Sequence, residues 1–170
     1  MAKQIQIIVK FFVVAFLFFI ICYSAQAEIN LYFSPYDNCE KQFVDMINSA
    51  KKKIKISCFG LTNQAIYEAI VNKRKQGVKV LVCIDRRQSA SKYDKKDLLK
   101  KNAIETVVKK TWVLEHNKMI VVDDKNAIIG SWNFSGNAQA QDNSIVVFKD
   151  EPEMAAQVEA AIDRIYARDK

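Results

Sequence analysis

Residues 53–85, KIKISCFGLTNQAIYEAIVNKRKQGVKVLVCID, decide the fold. Lys53-Ile54-Lys55-Ile56-Ser57-Cys58-Phe59 alternates and then turns apolar, the pattern of a strand, and Val78 to Ile84 is the most continuous β-branched run in the chain. Between them Gly60 turns the chain, Thr62 is placed to cap a helix, and Ala65, Ile66, Ala69 and Ile70 recur at three- and four-residue spacing until Gly77 stops it. Working outward, Glu28 to Phe33 reads as a short apolar strand ending at Ser34-Pro35. Tyr36-Asp37-Asn38 then offers a cap for a helix that buries Cys39, Phe43, Met46, Ile47 and Ala50. Strand, helix, strand, helix, strand predicts parallel strands joined by crossover helices. Further on, Ile104 to Val108 is another strand, Asp124-Lys125-Asn126 turns a hairpin into Ala127-Ile128-Ile129, and Ser144 to Phe148 is the last strand. Asp150 to Ala167 closes the chain as a helix with Asp150 as its cap, Pro152 in its first turn and Met154, Val158, Ala161 and Ile165 inward. The expected fold is α/β, a mixed, largely parallel sheet flanked by helices on both faces.

The strand at the heart of that hairpin carries the chemistry. It reads His116-Asn117-Lys118-Met119-Ile120-Val121-Val122-Asp123, followed by Gly130-Ser131-Trp132-Asn133, and His116 is the one histidine in 170 residues. In an extended segment side chains two apart share a face, so the imidazole and the Lys118 ammonium are expected to project together. Imidazole attacks phosphorus or moves a proton near neutral pH, while a lysine, a hydroxyl and an amide hold the non-bridging oxygens. Such a set needs no metal and no cofactor. The hairpin is expected to bring Ser131 close to His116. Arg86 and Arg87 follow a strand end, where ligands gather in α/β sheets, and with Trp112 they are candidate substrate contacts. The lysine-rich stretch from Gln88 to Lys101 reads as solvated surface.

The pattern H-x-K-x4-D with trailing Gly-Ser and Asn resembles the signature of the phospholipase D superfamily, and most of all its small single-motif bacterial nucleases of the Nuc type. The resemblance runs from about Glu28 to Phe148 and takes in Phe59-Gly60-Leu61-Thr62 and Gln141-Asp142-Asn143-Ser144. It implies a catalytic set of His116, Lys118, Asp123 and Asp142, with Lys118, Ser131 and Asn133 binding phosphate. His116 would form a covalent phosphohistidine. Asp142 stands where the similar nucleases carry glutamate and would orient the imidazole with one methylene less reach. Asp123 is expected to brace the motif rather than touch phosphate. Larger members carry two motifs per chain, and phosphodiester cleavage needs both a nucleophile and an opposed acid. One histidine therefore points to a homodimer with a shared site, the arrangement that the resemblance also implies. The expected substrate is nucleic acid: DNA first, with RNA as a further candidate. The alternatives are a phospholipid head-group ester, with Trp112, Trp132 and Phe134 as a lipid-facing rim, and an inactive nucleic-acid-binding scaffold.

Residues 1–27 read as a secretory signal peptide: Lys3 and Lys10 lead an apolar run from Phe11 to Cys22, and Ala25-Gln26-Ala27 supplies the small-x-small cleavage pattern. The competing reading, an uncleaved anchor, is weakened by Lys10 and by the short uninterrupted run. Residues 28–170 would then be a single catalytic domain, exported to the periplasm or medium of a bacterium, with no stable membrane insertion. The leader carries two lysines and no acid, so the formal charge of +7 becomes +5 in the mature chain, a balance suited to polyanions. Cys39, Cys58 and Cys83 remain, an odd number; Cys58 and Cys83 sit in apolar runs where small buried hydrophobes belong. Their spacing, with no Cys-x-x-Cys and no spare histidine, argues against zinc.

Overall fold

The computed structural model describes residues 27–170 and, ahead of them, Gln4; the expected leader otherwise lies outside the described residues. Seven strands form one sheet: β1 (Glu28–Ser34), β2 (Lys53–Cys58), β3 (Lys79–Ile84), β4 (Glu105–Val108), β5 (Lys118–Val122), β6 (Asn126–Gly130) and β7 (Asn143–Lys149), in the order β1-β7-β6-β5-β2-β3-β4. Among the described residues 27–170, four α-helices cover it: α1 (Cys39–Ser49), α2 (Gln64–Lys75), α3 (Lys96–Lys101) and α4 (Pro152–Asp169). The sheet is mixed, as expected, but its parallel part is confined to β2, β3 and β4, and the other four pairings are antiparallel. The reason lies in the hairpin. β5 takes the free edge of β2, β6 and β7 fold back in turn, and β1 is left to pair with β7 along its whole length, from Glu28 with Lys149 to Ser34 with Asn143.

Two apolar layers hold the helices. On one face, Ile54, Ile56, Val80, Val82, Ile120 and Ile128 pack under α1 and α2, with Phe43 and Ile47 contributed by α1 as its periodicity predicts. On the other, Leu81, Cys83, Val121 and Phe148 meet Ala155, Val158, Ile162 and Ile165 of α4. β2 shows the alternation in one strand: Ile54 and Ile56 enter the first core, while Lys53 and Lys55 face α4 and pair with Glu159 and Asp163 at 2.5–2.7 Å. The thiols of Cys58 and Cys83 belong to opposite faces of the sheet, so they cannot bridge, and burial pushes Cys83 up to about 12.

Three local expectations are corrected. The α2 cap is Asn63, whose side chain accepts from the Ile66 amide, rather than Thr62. Glu151, not Asp150, takes the cap position of α4, with Pro152 at the helix start; Asp150 has φ +52° and pairs with Lys125 in the turn before. Inward residues of α4 therefore fall at Ala155, Val158, Ile162 and Ile165, with Met154 and Ala161 only half-buried.

Strand directions explain where the site lies. Because β5 runs antiparallel to β2, and β6 and β7 each reverse again, one edge of the sheet collects the ends of β2 and β3, the start of β5, the end of β6 and the start of β7. Phe59, Asp85, His116, Ser131 and Asp142 all emerge there. Asp123 emerges at the opposite edge, beyond the last residue of β5. Its carboxylate accepts from the backbone amides of Lys51 (2.5 Å), Lys52 (2.7 Å) and Lys53 (2.9 Å), pinning the loop before β2 to the β5–β6 turn. The motif aspartate thus holds the loop before β2 and stands at the end of the sheet away from His116.

Partial burial alone would push the Asp123 carboxyl up; the three amides outweigh it and hold it below the usual carboxylate range. A depressed folded-state value means that the contribution is complete above the ordinary carboxylate range and is lost as the pH falls through the depressed value. Asp123→Ala is expected to lower the unfolding free energy by about 2 kcal/mol near neutrality, after discounting for solvent access, and by much less in acid. Urea denaturation of both proteins at the two pH values checks this, and equal losses at both would refute it.

Candidate active site

His116 sits in the irregular segment just before β5, with its imidazole edge-on to the Phe59 ring at a centroid distance of 5.4 Å. It is exposed and lines a cleft of about 240 Å³ with Phe59, Gly60, Thr62, Gln88, Asn133 and Ser135. Lys118, two residues on, is only 3% exposed, and its Nζ donates to the His116 carbonyl oxygen at 2.6 Å. Burial pushes this ammonium below its usual value, against the opposing pull of the buried Glu115 carboxylate. A cation so placed keeps its field in a region poor in water, where it acts strongly on an anion.

The strand end after β6 provides the neutral donors. Ser131, Asn133 and Ser135 alternate with Trp132 and Phe134, both fully buried against Phe43. Those two rings anchor the segment from below, and the amides of Thr62 and Asn63 donate to the Phe134 carbonyl at 2.9 and 3.0 Å. Trp132 and Phe134 are therefore core, and the expectation that they form a lipid-facing rim is overturned. Gly130 is required by its neighbour: a Cβ there would lie 2.2 Å from the Ser144 carbonyl and 2.8 Å from the Ile145 Cα, both backbone atoms of β7. Ser135 was missed from the sequence, although its place in the 131, 133, 135 alternation was available to find it.

Ser131 and Asp142 belong to an adjoining cleft of about 630 Å³ that also includes Phe33, Tyr36, Asn143 and Ser144. The Ser131 hydroxyl donates to Asn143 Oδ1 at 3.1 Å and accepts from the Ser144 amide at 3.0 Å. Asn133, rather than Ser131, shares the His116 cleft directly. Asp142 is exposed and makes no hydrogen bond to His116 among the described residues, so its expected role in orienting the imidazole is not seen within one chain. Its side chain has the short reach of aspartate, and it lies just before β7, which β6 separates from β5.

Other carboxylates hold the histidine segment. Glu115, 2% exposed, pairs with the buried Lys109 at 3.6 Å and accepts from the Asn117 amide at 3.1 Å. Asp85 accepts from the Glu115 amide and the Arg87 amide, each at 2.8 Å. These residues carry no family motif that would mark them in a sequence; Glu115 adjoins His116 in the chain, and the tertiary structure brings Asp85 and Lys109 to it. Arg86 lies with its guanidinium carbon 3.7 Å from the centroid of the Trp112 ring. Arg87 is exposed and does not line the His116 cleft.

An α/β sheet that gathers a histidine, a buried lysine and amide and hydroxyl donors at one edge defines a phosphoester-handling class. Residues 43–166 match the family described as cardiolipin synthase, PLD-like domain, so the chain belongs to the phospholipase D superfamily. Among relatives, a protein named phospholipase D from Rickettsia bellii (strain RML369-C) is 28% identical over 131 residues, 77% of this chain and 65% of that protein. A mitochondrial cardiolipin hydrolase from Chlamydomonas reinhardtii is 24% identical over 125 residues, 74% of this chain and 56% of that protein. The chain thus spans just under two thirds of the length of the first and less of the second. Among solved structures, the phospholipase D family member Nuc from Salmonella typhimurium superposes with a TM-score of 0.80 at 22% identity, covering 85% of this chain and 97% of that one. NucT from Helicobacter pylori gives 0.78 at 20% identity, covering 85% and 98%.

Proposed function

We propose that this protein is a metal-independent phosphodiesterase, acting as an endonuclease on nucleic acid at a site completed by two subunits. The observation that carries the reading is His116 in a cleft with Asn133 and Ser135, its backbone carbonyl held by the buried Lys118 ammonium. In the first step the imidazole forms a bond to phosphorus as the bond to the leaving oxygen breaks, and His116 of the partner subunit gives that oxygen its proton. In the second, the partner imidazole, now neutral, takes a proton from water as the water attacks and the phosphorus–nitrogen bond opens. The products are a phosphomonoester and an alcohol. Lys118 and Asn133 offset the charge on the phosphoryl oxygens, and Ser131 would do so from the second cleft on turning its hydroxyl away from Asn143.

The mature charge of +5 and the fold shared with Nuc and NucT favour nucleic acid. A second reading, hydrolysis of a phospholipid head-group ester, draws on the names of the sequence relatives and on the exposed run Trp112-Val113-Leu114. Purified protein offered plasmid DNA and phosphatidylcholine vesicles, each with and without EDTA, separates the two. DNA cleavage is expected to retain nearly its full rate in EDTA, because Lys118 and Asn133 provide charge stabilisation that needs no ion. Complete inhibition restored by magnesium would overturn the mechanism.

Two further points support the assembly and the export. Edge strand β1 exposes Ile29 (58%), Leu31 (61%) and Phe33 (51%) in one alternating row, next to the cleft that holds Ser131 and Asp142. An apolar row of that kind suits a second copy of this chain, and its position would bring two sites towards each other. The first strand begins at Glu28, immediately after the proposed cleavage at Ala27, so removal of a leader would leave the sheet whole.

A further inference from the structure

The tip formed by Trp112, Val113 and Leu114 is left out of the catalytic scheme. Trp112 is 79% exposed, yet the tip is fastened at both ends. Before it, the Lys110 and Thr111 amides donate to Asp169 Oδ1 at 3.0 and 3.1 Å, and Asp169 is fully buried at the end of α4. After it, the Glu115 amide donates to Asp85 at 2.8 Å, and the other oxygen of the same carboxylate holds the Arg87 amide. Asp85 therefore locks together the segments that carry Trp112 and Arg86, and the guanidinium carbon sits over the indole, 3.7 Å from its centroid. This is an aromatic ring presented to solvent by a rigid mount. Its neighbours are the site: Gln88, two residues after Arg86, lines the His116 cleft, and His116 itself is four residues after Trp112.

We propose that the Trp112 indole, backed by Arg86, is a stacking platform for one unpaired base of a nucleic acid strand whose phosphate lies in the His116 cleft. The proposal rests on the nuclease reading and names the form of substrate, a single-stranded or locally opened strand. A base has a flat uncharged face at every sequence, which is what one free indole face accepts. With a guanidinium already on one face of the ring, a second cation such as a choline head group is disfavoured, which sets a base above a lipid head group as the occupant. Because the ring is held in place before the strand arrives, little is lost in ordering it.

The test uses the full chain, with His116→Ala to hold strands uncut. Only Trp112 and the buried Trp132 fluoresce as tryptophan, so quenching reports on the tip. A short thymidine oligonucleotide is expected to quench emission saturably. An abasic oligonucleotide with the same number of phosphates should bind about tenfold to a hundredfold more weakly and leave emission unchanged. With His116 intact, Trp112→Ala should raise KM for the thymidine strand by a similar factor with kcat little altered, and Trp112→Phe should recover most of it. Equal binding of both strands, with both still cut, would overturn the platform and leave the nuclease reading standing. Failure to bind or cut either strand, with emission shifting instead on anionic phospholipid vesicles, would overturn both and make the tip a lipid contact.

Discussion

His116→Ala is expected to reduce phosphodiesterase turnover by more than about 10⁴-fold while the protein stays folded. General acid–base catalysis alone is worth about 10²- to 10⁴-fold, and in the proposed mechanism the same substitution also removes the nucleophile. The fold should tolerate it because the imidazole is exposed and contributes nothing to either apolar layer. The neighbouring backbone is held from elsewhere, by Glu115, Asp85 and the Lys118 ammonium. Turnover, circular dichroism and the urea midpoint measured on one preparation separate loss of chemistry from loss of structure. A well-folded variant that keeps substantial activity would mean that another group attacks phosphorus.

Mixing wild-type subunits with an excess of His116→Ala subunits, under conditions that allow exchange, is expected to reduce activity as the square of the wild-type fraction. Each mixed pair would hold one imidazole where the proposed reaction uses two, and residues that act as a unit do not contribute additively. Sedimentation should give twice the mature mass for the active species. A charged residue in the β1 row, as in Leu31→Glu, should separate the subunits and extinguish activity together, since Leu31 is exposed in the single chain and faces no core there. A linear fall on mixing, or full activity from a demonstrated monomer, would assign a complete site to each chain.

How much of this was legible in the chain differs from element to element. Helix α1 was read correctly because Cys39, Phe43, Met46 and Ile47 repeat at the helical period and Asn38 stands at the cap. The strands β2 and β3 were equally clear. Their neighbours were not, since periodicity reports which side of a strand is buried and says nothing about what pairs with its edges. The insertion of β5 beside β2, and the exile of β1 to the far edge, follow from competition for those edges. Trp132 and Phe134 show the same limit at the site: an aromatic residue beside a motif can serve substrate or core, and only the contact with Phe43 decides.

The sequence by itself determined the class, because H-x-K-x4-D with Gly-Ser-x-Asn resembles the signature of the superfamily to which the chain belongs. It also determined that one chain holds a single imidazole. Tertiary structure alone decided which of those groups share a cleft: His116 with Asn133 and Ser135, Ser131 with Asp142 beside them, and Asp123 at the opposite edge as a brace. The physical reason is strand direction. An extended β5 sends the first and last residues of the motif to opposite ends of the sheet, and its antiparallel pairing with β2, which runs parallel to β3, brings Asp85 and Arg86, thirty residues earlier in the chain, to the end where the histidine stands.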